Sequence, residues 1–225
     1  MKLFASDYDG TFLKHNYTQH ELNENIKQVE KWREDGNLFV FATGRDIPEM
    51  TNYMPDGLTY DYLVCINGGI ILDKNGAIIL EEVIPQQVAS EILGILKEHH
   101  ITNHYVSNTS KIGPGKITFS MDTPEAALNI ANSLANQFEG KAAFFSNECC
   151  VDIISYGVSK ATGVGMIAKR HSIIDDNIFC MGDSYNDLPM LNAYNGITLP
   201  GVNAAVSAAA IMVYDSVGEA LKKIR

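Results

Sequence analysis

The sequence predicts an α/β protein: a doubly wound, mostly parallel, Rossmann-like core sheet with a smaller inserted α+β domain. Three observations predict it. Near both ends, short runs that are apolar at every position alternate with amphipathic helical stretches, the rhythm of βαβ units whose strands are buried on both faces. In the middle of the chain that rhythm gives way to closely spaced strands around two helices. Acidic or glycine-bearing loops follow the core strands, at the edge where open α/β sheets bind ligands. The chain has 225 residues, 46% apolar and 20% charged, enough for one large domain with an inserted partner.

Residues 2–6 form a short apolar run that stops at acid and glycine, a buried strand followed by a loop. Thr18 and Glu21 have capping-box spacing, and Leu22, Ile26, Val29 and Trp32 recur at helical intervals until Asp35-Gly36-Asn37. Residues 38–42 and 62–66 are the next buried strands, ending at Thr43-Gly44-Arg45 and Asn67-Gly68-Gly69. Residues 70–72 and 77–84 read as strands around a Lys74-Asn75-Gly76 turn. A helix over 85–99, strands at 101–106 and 116–121, a helix over 124–138 opened by Pro124, and strands at 142–145 and 151–154 complete the middle block. After Gly157 the first rhythm resumes: a helix over 160–170, a buried strand at 177–181, a helix over 187–192, short strands at 196–199 and 211–213, and a closing helix over 217–224. The reading is therefore a discontinuous core, residues 1–75 and 156–225, split by an insert over 76–155.

Four places carry side chains suited to phosphoryl chemistry. The first is Asp7-Tyr8-Asp9-Gly10-Thr11. Carboxylates at i and i+2 leave a strand end on the same side, and Gly10 permits a sharp backbone departure. One carboxylate can attack phosphorus while the other moves the leaving group's proton; the same residues also suit a plain turn. The second is Thr43-Gly44-Arg45, whose hydroxyl and N–H groups can hold phosphate oxygens or cap a helix. The third is Lys160 at a helix start, able to neutralise an aspartate and a phosphoryl oxygen, or simply solvated. The fourth is Gly182-Asp183-Ser184-Tyr185-Asn186-Asp187, where a helical turn would put Asp183 and Asp187 on one side. Magnesium takes hard oxygen ligands, few of them from protein. Asp7, Asp9 and Asp183, with Asp187 as a further carboxylate, are the candidate metal ligands.

This set resembles the haloacid dehalogenase superfamily of phosphohydrolases. Asp7 and Asp9 match its first motif, Thr43 its second, Lys160 its third and Asp183 to Asp187 its fourth. The Phe41-Ala42-Thr43-Gly44-Arg45 and Asn67-Gly68-Gly69 runs, and an insert between the second and third motifs, resemble the Cof-type branch with its α/β cap of the C2B type. That insert is similar in size to the cap of archaeal phosphoglycolate phosphatases. The resemblance implies a Mg²⁺-dependent hydrolase of small phosphorylated metabolites, sugar phosphates or phosphoglycolate-like acids, working through an aspartyl-phosphate. Asp7 is then the nucleophile and Asp9 the acid–base, with Thr43 and Lys160 completing the catalytic set. Phosphate or substrate contacts fall to Thr43, Gly44, Arg45, Lys160, Asn67 and Asn186. A sugar phosphomutase of the phosphomannomutase type is the alternative. A phospho-accepting receiver module is a remote one, because there the acidic pair and the phosphorylated aspartate lie on different strands.

The formal charge of −10 argues against nucleic acid or an anionic membrane as the main partner. The expected partner is a small phosphorylated metabolite, and the chain is expected to be a monomer or small homo-oligomer. The first residues are too short an apolar stretch for a signal peptide, and no apolar run approaches ~18 residues. The four cysteines, Cys65, Cys149, Cys150 and Cys180, lack metal-site spacing and read as reduced thiols of a cytoplasmic protein. Without secretion, the Asn16-Tyr17-Thr18 and Asn108-Thr109-Ser110 triplets carry no glycosylation signal. Gly163-Val164-Gly165-Met166-Ile167-Ala168 spells a dinucleotide fingerprint, but that motif needs a strand directly before its first glycine. Here the glycines fall inside a helix and suit a close helix–sheet contact.

Overall fold

The computed structural model describes residues 1–14, 16–107 and 110–225; Asn108 and Thr109 of the second Asn-X-Ser/Thr triplet lie outside them. In chain order the elements are β1 (Leu3–Ser6), α1 (Gln19–Glu34), β2 (Leu38–Ala42), α2 (Ile47–Asn52), β3 (Tyr62–Cys65), β4 (Ile70–Asp73) and β5 (Ile78–Glu81). Then come α3 (Gln86–Glu98), β6 (His104–Val106), β7 (Ile117–Ser120), α4 (Pro124–Gln137), β8 (Ala142–Asn147) and β9 (Cys150–Ser155). The last are α5 (Lys160–Arg170), β10 (Ile178–Met181), α6 (Leu188–Ala193), β11 (Asn195–Thr198), α7 (Ala204–Ala209), β12 (Met212–Val213) and α8 (Val217–Ile224). They form two compact units, residues 1–79 with 159–225, and residues 80–158.

The larger unit holds an eight-stranded sheet in the order β12-β11-β10-β1-β2-β3-β4-β5. β1 pairs in parallel with β2 on one side and β10 on the other, Leu3 lying opposite Leu38 and Ile178. β2 pairs in parallel with β3, and β10 with β11; β4 returns antiparallel on β3. The chain thus leaves β1 in one direction and comes back beside it from the other, the topological switch point at which such sheets bind ligands. β1 is buried along its whole length, as a strand covered on both faces must be. Beneath the switch point Phe4 stacks on Phe39 at 5.9 Å and meets Trp32 edge-on at 6.1 Å, an aromatic floor that fixes α1 against the sheet. The Thr18–Glu21 capping box starts α1 as expected.

The strand over 78–81 lies at the border of the two units. The sequence reading places the insert over 76–155; β5 pairs as the edge strand of the eight-stranded sheet, and the second compact unit spans Leu80–Val158, so β5 crosses the border. A strand belongs to the sheet whose backbone groups it satisfies, and its own residues do not reveal which that is. The second unit is an antiparallel sheet, β6-β7-β9-β8. One face packs on α3 and α4 through Ile117, Phe119, Val151 and Ile153 against Val88, Ile92, Leu96, Ala131 and Leu134. The glycine run at 163–168 lies in α5, and a Cβ on Gly163 would meet Val64 Cγ1 at 2.5 Å. Close helix–sheet packing, not a nucleotide, explains that glycine.

Candidate active site

One loop organises the site. β1 ends at Ser6, and the Asp7 N–H continues the strand by donating to the Met181 carbonyl of β10 at 2.9 Å. Tyr8 and Phe12 are fully buried. Their rings stack at 6.2 Å, and each meets Phe41 edge-on, at 5.4 and 5.0 Å. Burying these two rings holds the loop down on the sheet. Gly10 has a φ of +80°, and a Cβ there would lie 2.5 Å from Asp183 Oδ2, so only glycine permits this turn so near Asp183.

Asp7 is buried, and its Oδ1 accepts the Tyr8 N–H at 2.7 Å and Lys160 Nζ at 2.8 Å. Lys160 is the first residue of α5, where Ser159 and Thr162 form a capping box that fixes the turn it projects from. It is fully buried and also donates to Asp187 Oδ1 at 2.7 Å. Asp187 Oδ2 accepts the Asp183 and Ser184 N–H groups, each at 3.0 Å, while the Ser184 hydroxyl donates to Asn186 Oδ1 at 2.6 Å. Those bonds fold the loop after β10 back on itself and present Asp183, whose Oδ1 accepts the Thr11 hydroxyl at 2.5 Å.

Asp7, Asp183 and Asp187 bring one carboxylate oxygen each within 4.8 Å of the others, the one such group among the described residues. Burial, then Asp187, pushes Asp7 up to about 8 against the opposing pull of Lys160. Burial also raises Asp183; the Thr11 hydroxyl opposes this and Asp187 reinforces it. Burial works against the charge of Lys160, but Asp187 and Asp7 outweigh it and raise its pKa. Three carboxylates facing one ammonium leave a dry site short of positive charge. Hard oxygen donors with that deficit fit a divalent cation of the magnesium type.

A second corner assembles at the ends of β2 and β3. Thr43 is buried, donates its N–H to the Val64 carbonyl at 2.8 Å, and its Oγ1 accepts the Arg45 N–H at 3.1 Å. It caps no helix, since α2 is capped by Asp46 in a box with Glu49; the cap alternative for Thr43 is therefore overturned. Ile66 and Asn67 have φ of 53° and 52°, a costly conformation for a β-branched residue. It is held by bonds of 2.9 Å from Ile66 N–H to the Arg45 carbonyl and from Asn67 N–H to the Thr43 carbonyl. Asn67 Oδ1 accepts Asn186 Nδ2 at 3.1 Å, and a Cβ on Gly44 would stand 3.4 Å from that oxygen. Thr43, Gly44, Asn67 and Asn186 thus meet in one place.

Two residues stand elsewhere than the sequence suggests. The Asp9 carboxylate lies outside the carboxylate cluster and is bound by Arg45 through two hydrogen bonds of 2.7 Å. Arg45, read from sequence as a phosphate contact, spends its fork on Asp9 because the turn at Gly10 brings the two together across 36 positions. Sequence reasoning also misses the bracing roles of Thr11 and Ser184, and misses Tyr53, whose ring lies 5.6 Å from the Arg45 guanidinium. No sequence signal marks Tyr53. His99 and His100 line a cavity of about 270 Å³ in the second unit with Asn103, Ser120 and Asp122, and none of the motif residues is there.

Comparison with known proteins places this geometry. The profile of the haloacid dehalogenase-like hydrolases matches residues 4–116 and 107–220. A phosphoglycolate phosphatase of Nitrosopumilus maritimus is 28% identical over 99% of this chain and 96% of its own. A 5-amino-6-(5-phospho-D-ribitylamino)uracil phosphatase of Bacillus subtilis is 23% identical over 96% and 90%. Among solved structures, a haloacid dehalogenase-like hydrolase from B. subtilis superposes with a TM-score of 0.85 at 20% identity, covering 99% of each chain.

Proposed function

Because the chain belongs to the haloacid dehalogenase-like hydrolase family and is a phosphatase of its Cof-type branch, we propose that it hydrolyses small phosphomonoesters with Mg²⁺, through a phosphoaspartate on Asp7. The observation that carries this reading is the buried Asp7–Lys160–Asp187 arrangement with Asp183 beside it. It combines a nucleophile held by a cation with a carboxylate set that lacks a second cation. Phosphatases among the relatives, one for phosphoglycolate and one for a ribityl phosphate, support sugar phosphates or short phosphorylated acids as substrates and favour hydrolysis over the mutase alternative. The free cysteines suit a cytoplasmic setting.

Both bonds to Asp7 fall on Oδ1, so Oδ2 is the oxygen presented to phosphorus. Lys160 fixes the carboxylate's orientation and offsets its charge as it approaches a phosphoryl dianion. Thr43, Gly44, Asn67 and Asn186 hold the phosphoryl oxygens. The P–O bond to the leaving group breaks as Asp7 Oδ2 bonds to phosphorus, and Asp9 gives its proton to the departing alkoxide. Asp9 then takes a proton from water, whose oxygen attacks the phosphoaspartate and frees phosphate and Asp7. Asp7 and Asp183 would hold the Mg²⁺. Asp187, whose oxygens already accept three hydrogen bonds, braces the site. The cation supplies charge neutralisation between Asp7 and the incoming phosphoryl group, whose unscreened repulsion is ~4 kcal/mol for two unit charges 4 Å apart at an effective dielectric of 20.

A panel of phosphorylated sugars and short phosphorylated acids tests this. Phosphate release should require Mg²⁺, stop with EDTA, and fall roughly 10³-fold or more in Asp7→Asn. Undiminished release in that variant would remove Asp7 as nucleophile.

A further inference from the structure

The Arg45 side chain is held from three sides before it meets Asp9. Its guanidinium lies over the Tyr8 ring at 5.2 Å and over the Tyr53 ring at 5.6 Å, and Nη1 donates to the Glu49 carbonyl at 3.2 Å. Tyr8 is itself fully buried, and its hydroxyl donates to the Tyr53 carbonyl at 3.0 Å. The edge of the guanidinium that remains, Nε and Nη2, takes both oxygens of Asp9 at 2.7 Å each. The Asp9 side chain is 52% exposed. An exposed carboxylate has several open rotamers, whereas a planar two-point contact with a pre-set arginine selects one. Stacking on aromatic faces is what pre-sets this arginine.

We propose that the Tyr8–Arg45–Tyr53 stack is a positioning device for Asp9, and that Arg45 and Tyr53 serve proton transfer by fixing where that carboxylate stands. The inference rests on the reading of Asp9 as the acid–base group. Both Asp9 oxygens accept from the fork here, so proton transfer requires one of them to leave its arm while the other stays bound to Arg45. The role of Arg45 is then indirect: it touches the proton-transfer group, not the phosphoryl oxygens.

The test is the ratio of kcat/KM for an alkyl phosphate, whose alkoxide needs a proton, to that for p-nitrophenyl phosphate, whose phenolate does not. The ratio should fall about 10- to 100-fold in Arg45→Gln and by less in Arg45→Lys, which keeps the charge without the fork. In Tyr53→Leu, an exposed position, it should fall about threefold, and Tyr53→Phe should restore it. Asp9→Asn should lower the ratio at least as far as Arg45→Gln. The Asp9→Asn/Arg45→Gln double variant should be no lower than Asp9→Asn alone, since the two act as one unit. Equal loss with both esters in Arg45→Gln would make Arg45 a phosphate ligand and overturn the proposal; multiplying effects in the double variant would do the same. A ratio unmoved by Asp9→Asn would overturn the acid–base reading and this inference together. A ratio moved by Asp9→Asn but not by Arg45→Gln would overturn this inference alone.

Discussion

Complete burial of Lys160 is tolerable only because its ammonium bonds to two carboxylates, Asp7 at 2.8 Å and Asp187 at 2.7 Å. Deleting the charge strands both acids in a dry site, a change that typically costs about 3–5 kcal/mol. Lys160→Met keeps most of the apolar stem, so its loss of stability at pH 7.5, read as a lower denaturation midpoint, should approach that size, and phosphate release should stop. The sign with pH follows from the same acids. With Lys160 in place Asp7 already stands at about 8, raised first by burial; removing the ammonium that pulls it down raises it further, so the variant goes on losing stability with rising pH where the wild type has levelled off. Its deficit against wild type should therefore be larger at pH 9 than at pH 6; a deficit of constant size would rule out stranded charge on Asp7 as the cause. Lys160 is legible in sequence because it follows the Gly157 break and opens an amphipathic stretch. The Arg45–Asp9 pair is not, because each residue sits in its own motif and only the Gly10 turn makes them neighbours.

Helix α5 shows how an element delivers one side chain. Ser159 accepts the Thr162 N–H at 3.2 Å while Thr162 Oγ1 takes the Ser159 N–H at 3.0 Å, closing the first turn around Lys160. Ser159→Ala should cost about 1 kcal/mol of stability and leave Ser159→Asp close to wild type. The measurement is a pair of chemical denaturation curves, and an alanine variant as stable as the aspartate one would show that packing alone fixes the turn. The longer elements are readable because their apolar periodicity runs over several turns, as in α1 and α4. Helices α2 and α7, six residues each, escape the sequence reading since under two turns leave too few positions for an apolar spacing to repeat. The strand over 101–106 shortens to His104–Val106, with His100 at a φ of 58° just before it, a turn that apolar content does not announce. β5 is readable as a strand, but its sheet is not, because strand pairing is a tertiary choice.

Across the whole molecule, the parallel sheet gathers residues from positions 7 to 187 onto the ends of β1, β2, β3 and β10, and the charge imbalance there would couple the proposed cation to folding. With no cation, Asp7 sits at about 8, raised first by burial and then by Asp187. The folded chain then keeps a proton that the unfolded chain, with an ordinary carboxylate near 4, has released. Between about pH 4 and pH 8 that proton makes the cation-free protein lose stability as pH rises. A Mg²⁺ bound by Asp7 would take the proton's place and remove this slope. The gain in melting temperature on replacing EDTA with Mg²⁺ should therefore grow from pH 5 to pH 8 and level off above it. Binding at pH 7 should release close to one proton, seen by calorimetry in buffers of different ionisation enthalpy, and few at pH 9. Because the other titrating groups are common to both melting curves, parallel EDTA and Mg²⁺ profiles would mean that the cation does not displace a proton from Asp7, and that the carboxylate cluster is braced by Lys160 alone.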